Sequence, residues 1–494
     1  MDCKINKSYY KWIWIAATVI FCLLFTFALI PGVGAQGSQE GGLGRRSYPG
    51  MMEEVFNFIL RNYVDEVDPQ VLFEGAMNGM FGALDDPYSA FLSESDLGDL
   101  RHTTEGAFGG VGLNITKATS PRPDGKPMWV EVASPIEDTP GWRAGINPGD
   151  FIVEINDQPT ENMSMDEVLG ILRGTPGEQV KLLIRRGERL EFPVTITRAV
   201  IEVPTVKHAM IGDIGYLKLI SFTPMTTARA REAINEFKEN NYKSLVLDLR
   251  YNYGGRLDSA IEIAGLFLDG GLVVSTRSRI RSENREFNTR RGTTVPANIP
   301  VIVLINRASA SASEIVAGAL KDRGRAYLVG ENTFGKGSVQ QVFPVTDGTG
   351  FRITTARYFT PSDANIDKIG IPPDREVKFP EYTEEDAEHL NALINSNKIP
   401  QFAAQSPQAT SAQIEAFAVS LRREYQLDLV LLRRLIRNEL RRTEIAPVYD
   451  LEYDIQLQEA INILKSGNYQ QLMRDSKPLK ALLEDTVDDF AQAS

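Results

Sequence analysis

The sequence predicts a multidomain α+β protein, with a layered α/β core, a smaller β-rich module and helical segments at both ends. Three observations predict it. Between residues 205 and 380, short apolar runs alternate with amphipathic stretches, the pattern of strands and helices packed in layers. Residues 103–197 carry strand-like runs punctuated by Gly141, Gly145, Gly149, Gly174, Gly177 and Gly187, as expected of a compact β module. Before residue 92 and beyond residue 381, apolar side chains recur at helical spacing. A chain of 494 residues accommodates about two to four domains.

Residues 12–31 carry no charge and follow Lys4, Lys7 and Lys11. A run of about 20 such residues spans a bilayer core, and the basic flank favours an inside N-terminus. Val33-Gly34-Ala35 offers small residues for cleavage, so residues 1–35 read as either a membrane anchor or a removed signal peptide. Either way the body is exported. Both cysteines, Cys3 and Cys22, lie in this leader, which excludes a cysteine nucleophile or a disulfide framework in the body. Residues 36–49, rich in Gly, Ser and Arg, read as a linker.

Residues 50–103 form a helical segment. Val55, Phe56, Ile59, Leu60 and Tyr63 share a face, and a second helix over 72–84 is stopped by Asp85-Asp86-Pro87. This segment reads as structural rather than as part of a site. The module, residues 104–198, has strands predicted over 111–115, 129–132, 151–155 and 180–185, and a helix over 165–172. In the core, residues 199–380, strands are predicted over 215–219, 244–249, 299–305, 327–329, 339–343 and 351–358. Helices are predicted over 227–240, 257–268 and 311–321. Residues 381–494 are a helical extension. Residues 400–410 form a linker, and helices span 412–442 and 457–465. Arg422, Arg423, Arg433, Arg434, Arg437, Arg441 and Arg442 lie in the longer one. A basic amphipathic helix can meet a membrane or a partner, and a solvated face on a packed helix is the plainer reading.

The net charge of −12 argues against a nucleic-acid binder, which needs a positive surface. The chemistry is concentrated in two segments, Ser309-Ala310-Ser311-Ala312-Ser313-Glu314 and Thr333-Phe334-Gly335-Lys336-Gly337-Ser338-Val339-Gln340. Ser311 sits where a predicted strand meets a predicted helix. The N–H of Ala312 lies at the helix start, where free donors favour developing negative charge. Taken alone, Ser311 is a plain N-cap with Glu314 completing a capping box. Lys336, between two glycines that permit close backbone approach, changes that reading. A buried lysine loses its proton more readily and can then act as a base. The three histidines, His102, His208 and His389, lie in separate regions, so a histidine-based serine hydrolase is a strained alternative. No metal-ligand spacing is present. Gly335-Lys336-Gly337 fails the phosphate-binding loop pattern because the serine does not follow the lysine directly.

These segments resemble the carboxyl-terminal processing, or tail-specific, proteases, S41-type serine peptidases with a PDZ domain. The resemblance runs from about residue 55 to 373 and is strongest over 306–319 and 330–340. It implies a layered α/β serine protease core with an inserted PDZ-like domain. It also implies a Ser–Lys dyad, with Ser311 as nucleophile, Lys336 as general base and Gln340 supporting the lysine. Asp248-Leu249-Arg250-Tyr251-Asn252-Tyr253-Gly254-Gly255 matches the family's segment after the central strand. There Gly254 or Gly255 joins Ala312 in an oxyanion hole, and the sequence leaves the two glycines equal. Asp248 and Arg250 read as structural pairs. Gly109-Gly110-Val111-Gly112-Leu113 matches the carboxylate-binding loop of the PDZ domain, where a peptide adds as a strand. Arg173 matches a residue that couples peptide binding to the protease. Residues 356–362 match a strand and turn, with Asp363 where a glycine is common.

The implied function is a serine endopeptidase that cuts exported proteins near their C-terminal tails in the bacterial periplasm or cell envelope, without a cofactor. Its expected partners are protein or peptide tails. A regulatory partner, a homodimer and membrane association through the N-terminal segment are left open. The competing readings are a non-catalytic adaptor that keeps the tail-binding module, and a hydrolase or transferase of a non-peptide ester.

Overall fold

Strands Ser244–Asp248 and Val301–Ile305 are buried at every residue. Their sequences are almost continuously apolar because a parallel sheet is covered on both faces. They lie at the centre of a six-stranded sheet. Its order is Val206–Ile211, Ile214–Leu219, Ser244–Asp248, Val301–Ile305, Tyr327–Gly330 and Arg375–Glu376. Only the first pair is antiparallel. The computed structural model describes residues 47–118, 127–187, 189–345, 348–442 and 447–484. The predicted leader, 1–35, and nearly all of the predicted linker, 36–49, lie outside the described residues.

Alternate residues of the sheet face opposite layers. Leu217, Leu247, Val303 and Leu328 pack against helices Thr226–Glu239, Leu257–Gly265 and Ala312–Asp322. Tyr216, Val246, Ile302 and Val329 pack against Leu457, Ala460, Ile461 and Tyr469 of the C-terminal helices Ile455–Lys465 and Tyr469–Asp475. The end of the predicted helical extension therefore covers one face of the core sheet.

A second sheet is antiparallel. Gly350–Phe359 pairs with Ala90–Leu92, Gly271–Arg277 and Ser338–Pro344, and Arg285–Thr289 pairs with Gly271–Arg277. Three of these strands escaped the sequence reading. Ala90–Leu92 is only three residues long, Arg285–Thr289 is exposed and rich in polar side chains, and the apolar stretch of Gly271–Arg277 is only the three residues Leu272, Val273 and Val274.

The β module packs Val130, Ile152, Val168, Leu182 and Ile184 into its own core. Its sheet runs Leu113–Lys117, Val130–Pro135, Phe151–Ile155, Gln179–Arg186 and Leu190–Thr197, with the first strand at an edge. The chain enters through Ala107–Gly110 and leaves through Ala199–Glu202. These two strands pair antiparallel, so the module is an insertion closed by a ribbon.

Residues up to Ala76 form a separate unit, which contains helix Tyr48–Asn62, capped by Ser47. A further helix covers Pro69–Gly82, and Asp85 follows with φ 51°. Beyond the core, helices Glu384–Asn395, Lys398–Gln405, Ser411–Tyr425 and Leu429–Leu440 pack around Leu393, Leu421, Leu432 and Ile436. Two expectations are corrected. The predicted linker over 400–410 is helical to Gln405, where Phe402 stacks on Phe417 at 4.2 Å. The single helix over 412–442 breaks at Gln426, with φ 53°, and restarts under the Asp428 cap. Arg437 pairs with Asp450 and Glu452, Arg433 with Glu415, and Arg442 with Glu131. These three arginines are thus engaged within the protein.

Candidate active site

Ser311 stands at the junction of strand Val301–Ile305 and helix Ala312–Asp322, with φ 55° and ψ −112°. A serine held there costs about 1–3 kcal/mol, strain of the kind that collects at functional sites. The turn is over-determined by hydrogen bonds. Ser309 Oγ donates to Leu249 O at 2.9 Å, and Ser313 Oγ to Asn252 O at 2.8 Å. Ala310 N donates to the same Asn252 carbonyl at 3.0 Å. Ser309 and Ser313 are therefore ties, and Ser311 alone of the three serines lines the adjoining cleft.

That cleft has a volume of about 640 Å³ and is lined by Ser311, Lys336, Gln340, Gly255, Tyr358 and Arg352 among others. Two segments that are distant in sequence thus face one cavity. Lys336 is half-buried. Burial and the Arg352 guanidinium lower its pKa, while the carboxylates of Glu314 and Asp86 pull it back. Its Nζ lies 4.7 Å from the centre of the Tyr88 ring, a cation–π contact that favours the charged form. Tyr358 lines the same cleft, and burial pushes its hydroxyl up to about 12 while the Ser311 side chain opposes the rise. Among the described residues, no hydrogen bond joins Lys336 Nζ to Ser311. Gln340 lies in strand Ser338–Pro344, and its Nε2 donates to Ser338 Oγ at 2.8 Å and Thr354 Oγ1 at 3.3 Å. It shares the cavity with Lys336 without bonding to it.

Glu314 does more than complete a cap. Its carboxylate is fully buried. It accepts four hydrogen bonds, from Thr333 Oγ1 at 2.6 Å, Gly335 N at 2.7 Å, and Ser311 N and Lys336 N at 2.9 Å each. One side chain therefore binds the serine turn to the lysine loop. Burial raises its pKa and the four bonds oppose the rise.

Gly254 and Gly255 behave differently. Gly254, with φ 103°, packs so closely that a Cβ would lie 2.9 Å from Ala312 N and 2.8 Å from Ala310 O. Its N–H donates to Asn252 Oδ1 at 2.9 Å. Gly255 lines the cleft. Among the described residues, neither its N–H nor that of Ala312 has a hydrogen-bond partner.

The PDZ-loop residues lie elsewhere. Gly109 and Gly110 end the entry strand, and Gly109 O accepts from Gly174 N at 3.0 Å. Val111 is buried and its carbonyl accepts from Gly141 N at 2.7 Å. Gly112 has φ 77° and accepts from Ile136 N at 2.9 Å. Leu113 opens the edge strand. Leu113, Ile115, Ile171 and Leu172 belong to the one apolar cluster at the centre of the module. Arg173 follows that helix, with its guanidinium 5.4 Å from the Phe108 ring. It is not among the residues lining the Ser311 cleft.

Tyr88 and Glu314 were missed as site residues. Tyr88 lies in the segment read as structural, an expectation that its contact with Lys336 corrects. No local signal marks Tyr88. The position of Glu314 three residues beyond Ser311 was visible, but only as a cap.

An α/β core with a strained serine and a half-buried lysine on one cleft, joined to an inserted β module, is an arrangement compatible with a serine-type endopeptidase. Comparison with known proteins gives the family. The sequence pattern of peptidase family S41 matches residues 213–377, a PDZ domain matches 131–186, and the N-terminal domain of the activating protease CtpB matches 39–95. The carboxy-terminal-processing protease of Bartonella bacilliformis is 40% identical over 332 residues, covering 66% of this chain and 74% of that protein. The carboxyl-terminal-processing protease of Synechocystis is 36% identical over 314 residues, covering 62% and 71%. The photosystem II D1 C-terminal processing protease structure is 31% identical and covers 66% of this chain and 92% of its own, with a TM-score of 0.39. The chain belongs to peptidase family S41, as a carboxyl-terminal processing serine peptidase with a PDZ domain.

Proposed function

We propose that this enzyme cleaves exported proteins near their C-terminal tails, with Ser311 as nucleophile and Lys336 as general base. The observation that carries the reading is the shared cleft. Ser311, in its strained turn, and Lys336, whose pKa burial lowers, both line it, which supports the reading. In this conformation the lysine rests on Tyr88, so the dyad forms when Lys336 turns from Tyr88 toward Ser311.

Neutral Lys336 Nζ takes the Ser311 hydroxyl proton as Oγ bonds to the scissile carbonyl carbon. The oxyanion is held by the N–H groups of Ala312 and Gly255. Gly255 is preferred to Gly254, whose N–H is engaged by Asn252. Collapse breaks the C–N bond, and Lys336 returns the proton to the leaving amine. Water, deprotonated by the same lysine, then attacks the ester carbonyl, the bond to Ser311 Oγ breaks, and Lys336 returns the proton to Oγ. Gln340 lies on the cavity wall, where it can meet the lysine once it has turned. The tail adds to the free edge of Leu113–Lys117, with its carboxylate at residues 109–113, and Arg173 relays binding through Phe108. Export rests on the uncharged run at 12–31.

The test is digestion of an unstructured reporter with a free apolar C-terminus, read by mass spectrometry. Wild type is expected to cut it. Ser311→Ala and Lys336→Ala, folded by circular dichroism, are expected to be slower by a factor on the order of 10³ or more. Equal cleavage by all three proteins refutes the dyad.

A further inference from the structure

Beyond the dyad, the buried Arg250 connects the C-terminal segment to the oxyanion turn. Its Nη1 and Nη2 donate to the two carboxylate oxygens of Asp454 at 2.7 and 2.6 Å. Its Nε and Nη2 donate to Asp248 at 3.0 and 2.7 Å. Tyr216 and Gln456 complete the shell, as donor to Asp248 and acceptor from Arg250. Arg250 and Asp248 are 4% and 0% exposed. The guanidinium is thus held in a planar fork by two carboxylates, one on the central strand and one arriving from 204 residues away.

The turn begins at the residue after Arg250. Tyr251 N donates to Asn306 Oδ1. Asn252 holds Gly254 N with its side chain and the serine turn with its carbonyl. Arg250 thus directly precedes the turn that carries the Gly255 N–H. We propose that Asp454 is a positioning residue of the reaction, through which the C-terminal segment sets the oxyanion hole by fixing Arg250. This rests on the assignment of Ser311, Lys336 and the Gly255 donor above.

Asp454 also caps its own helix by accepting from Leu457 N at 3.0 Å, so the two roles must be separated. Asp454→Ser keeps a capping oxygen but is too short to reach Arg250, whereas Asp454→Glu keeps the charge. The experiment measures kcat and KM on the reporter, affinity for a peptide aldehyde that forms an oxyanion adduct, and binding of a tail peptide. All values are normalised to the folded fraction. Positioning predicts that Asp454→Ser loses at least about tenfold in kcat, loses aldehyde affinity by the same factor, and keeps KM and tail binding. Asp454→Glu should recover part of the loss. A purely structural cap predicts wild-type kcat and aldehyde affinity per folded molecule, and that result overturns the inference. So does a fall in kcat with unchanged aldehyde affinity. Ser311→Ala, run in parallel, separates the two levels. Cleavage surviving in Ser311→Ala refutes the dyad, whereas an inactive Ser311→Ala beside a fully active Asp454→Ser refutes only the inference.

Discussion

At the residue scale the proposed base is Lys336, whose proton is contested by its surroundings. Burial and Arg352 disfavour the ammonium, while Glu314, Asp86 and the Tyr88 ring favour it. With burial prevailing, kcat/KM rises with pH with a midpoint below 10.5, the ordinary lysine value. Arg352→Gln removes a positive neighbour and moves the rise to higher pH. Tyr88→Leu removes the aromatic face and moves it to lower pH. Profiles that shift in the same direction, or not at all, refute these assignments. Linkage gives the sign for stability. The cost of the buried ammonium is complete below the folded pKa and is relieved as pH rises toward 10.5. Lys336→Met is therefore more stable than wild type at neutral pH, and chemical denaturation across pH should show the gain shrinking in alkali.

At the element scale the site depends on two pieces held in register, the serine turn with its helix and the loop 333–337. Glu314 joins them through four accepted bonds. Glu314→Gln keeps the shape but turns one acceptor into a donor facing N–H groups. We expect a stability loss of about 1–3 kcal/mol and a fall in kcat of about 10- to 100-fold from misplacement. Urea unfolding and turnover per folded molecule read the two effects separately. Unchanged turnover would mean that the loop holds its place without the clamp. The capping box was legible in the sequence because it is local. The second half of the clamp was not, because Thr333 and Gly335 come near Glu314 only after two parallel strands have paired.

At the scale of the whole molecule, the C-terminal helices are part of the core. Leu457, Ala460, Ile461, Ile463 and Tyr469 cover one face of the six-stranded sheet. Exposing such side chains costs about 1.5–3 kcal/mol for each large one, against a net stability of about 5–15 kcal/mol for a domain. A chain ending at residue 446 should therefore fail to give soluble protein with native circular dichroism. A soluble, active truncation would show that the sheet tolerates an open face.

The parts written in contiguous residues were legible before any fold was known: the strand-to-helix junction at Ser311, the buried strands at 244–249 and 299–305, and the glycine-punctuated module. Each has a short-range signature in hydrophobic period, turn residues or motif spacing. Three features emerged only once the chain was folded. They are which glycine of the pair keeps a free N–H, the Tyr88 ring under the lysine, and the reach of Asp454 to Arg250. One physical reason covers all three. A hydrogen bond or ring contact acts over a few ångströms of space, and an amphipathic helix or half-polar strand records that it will be covered but not by what.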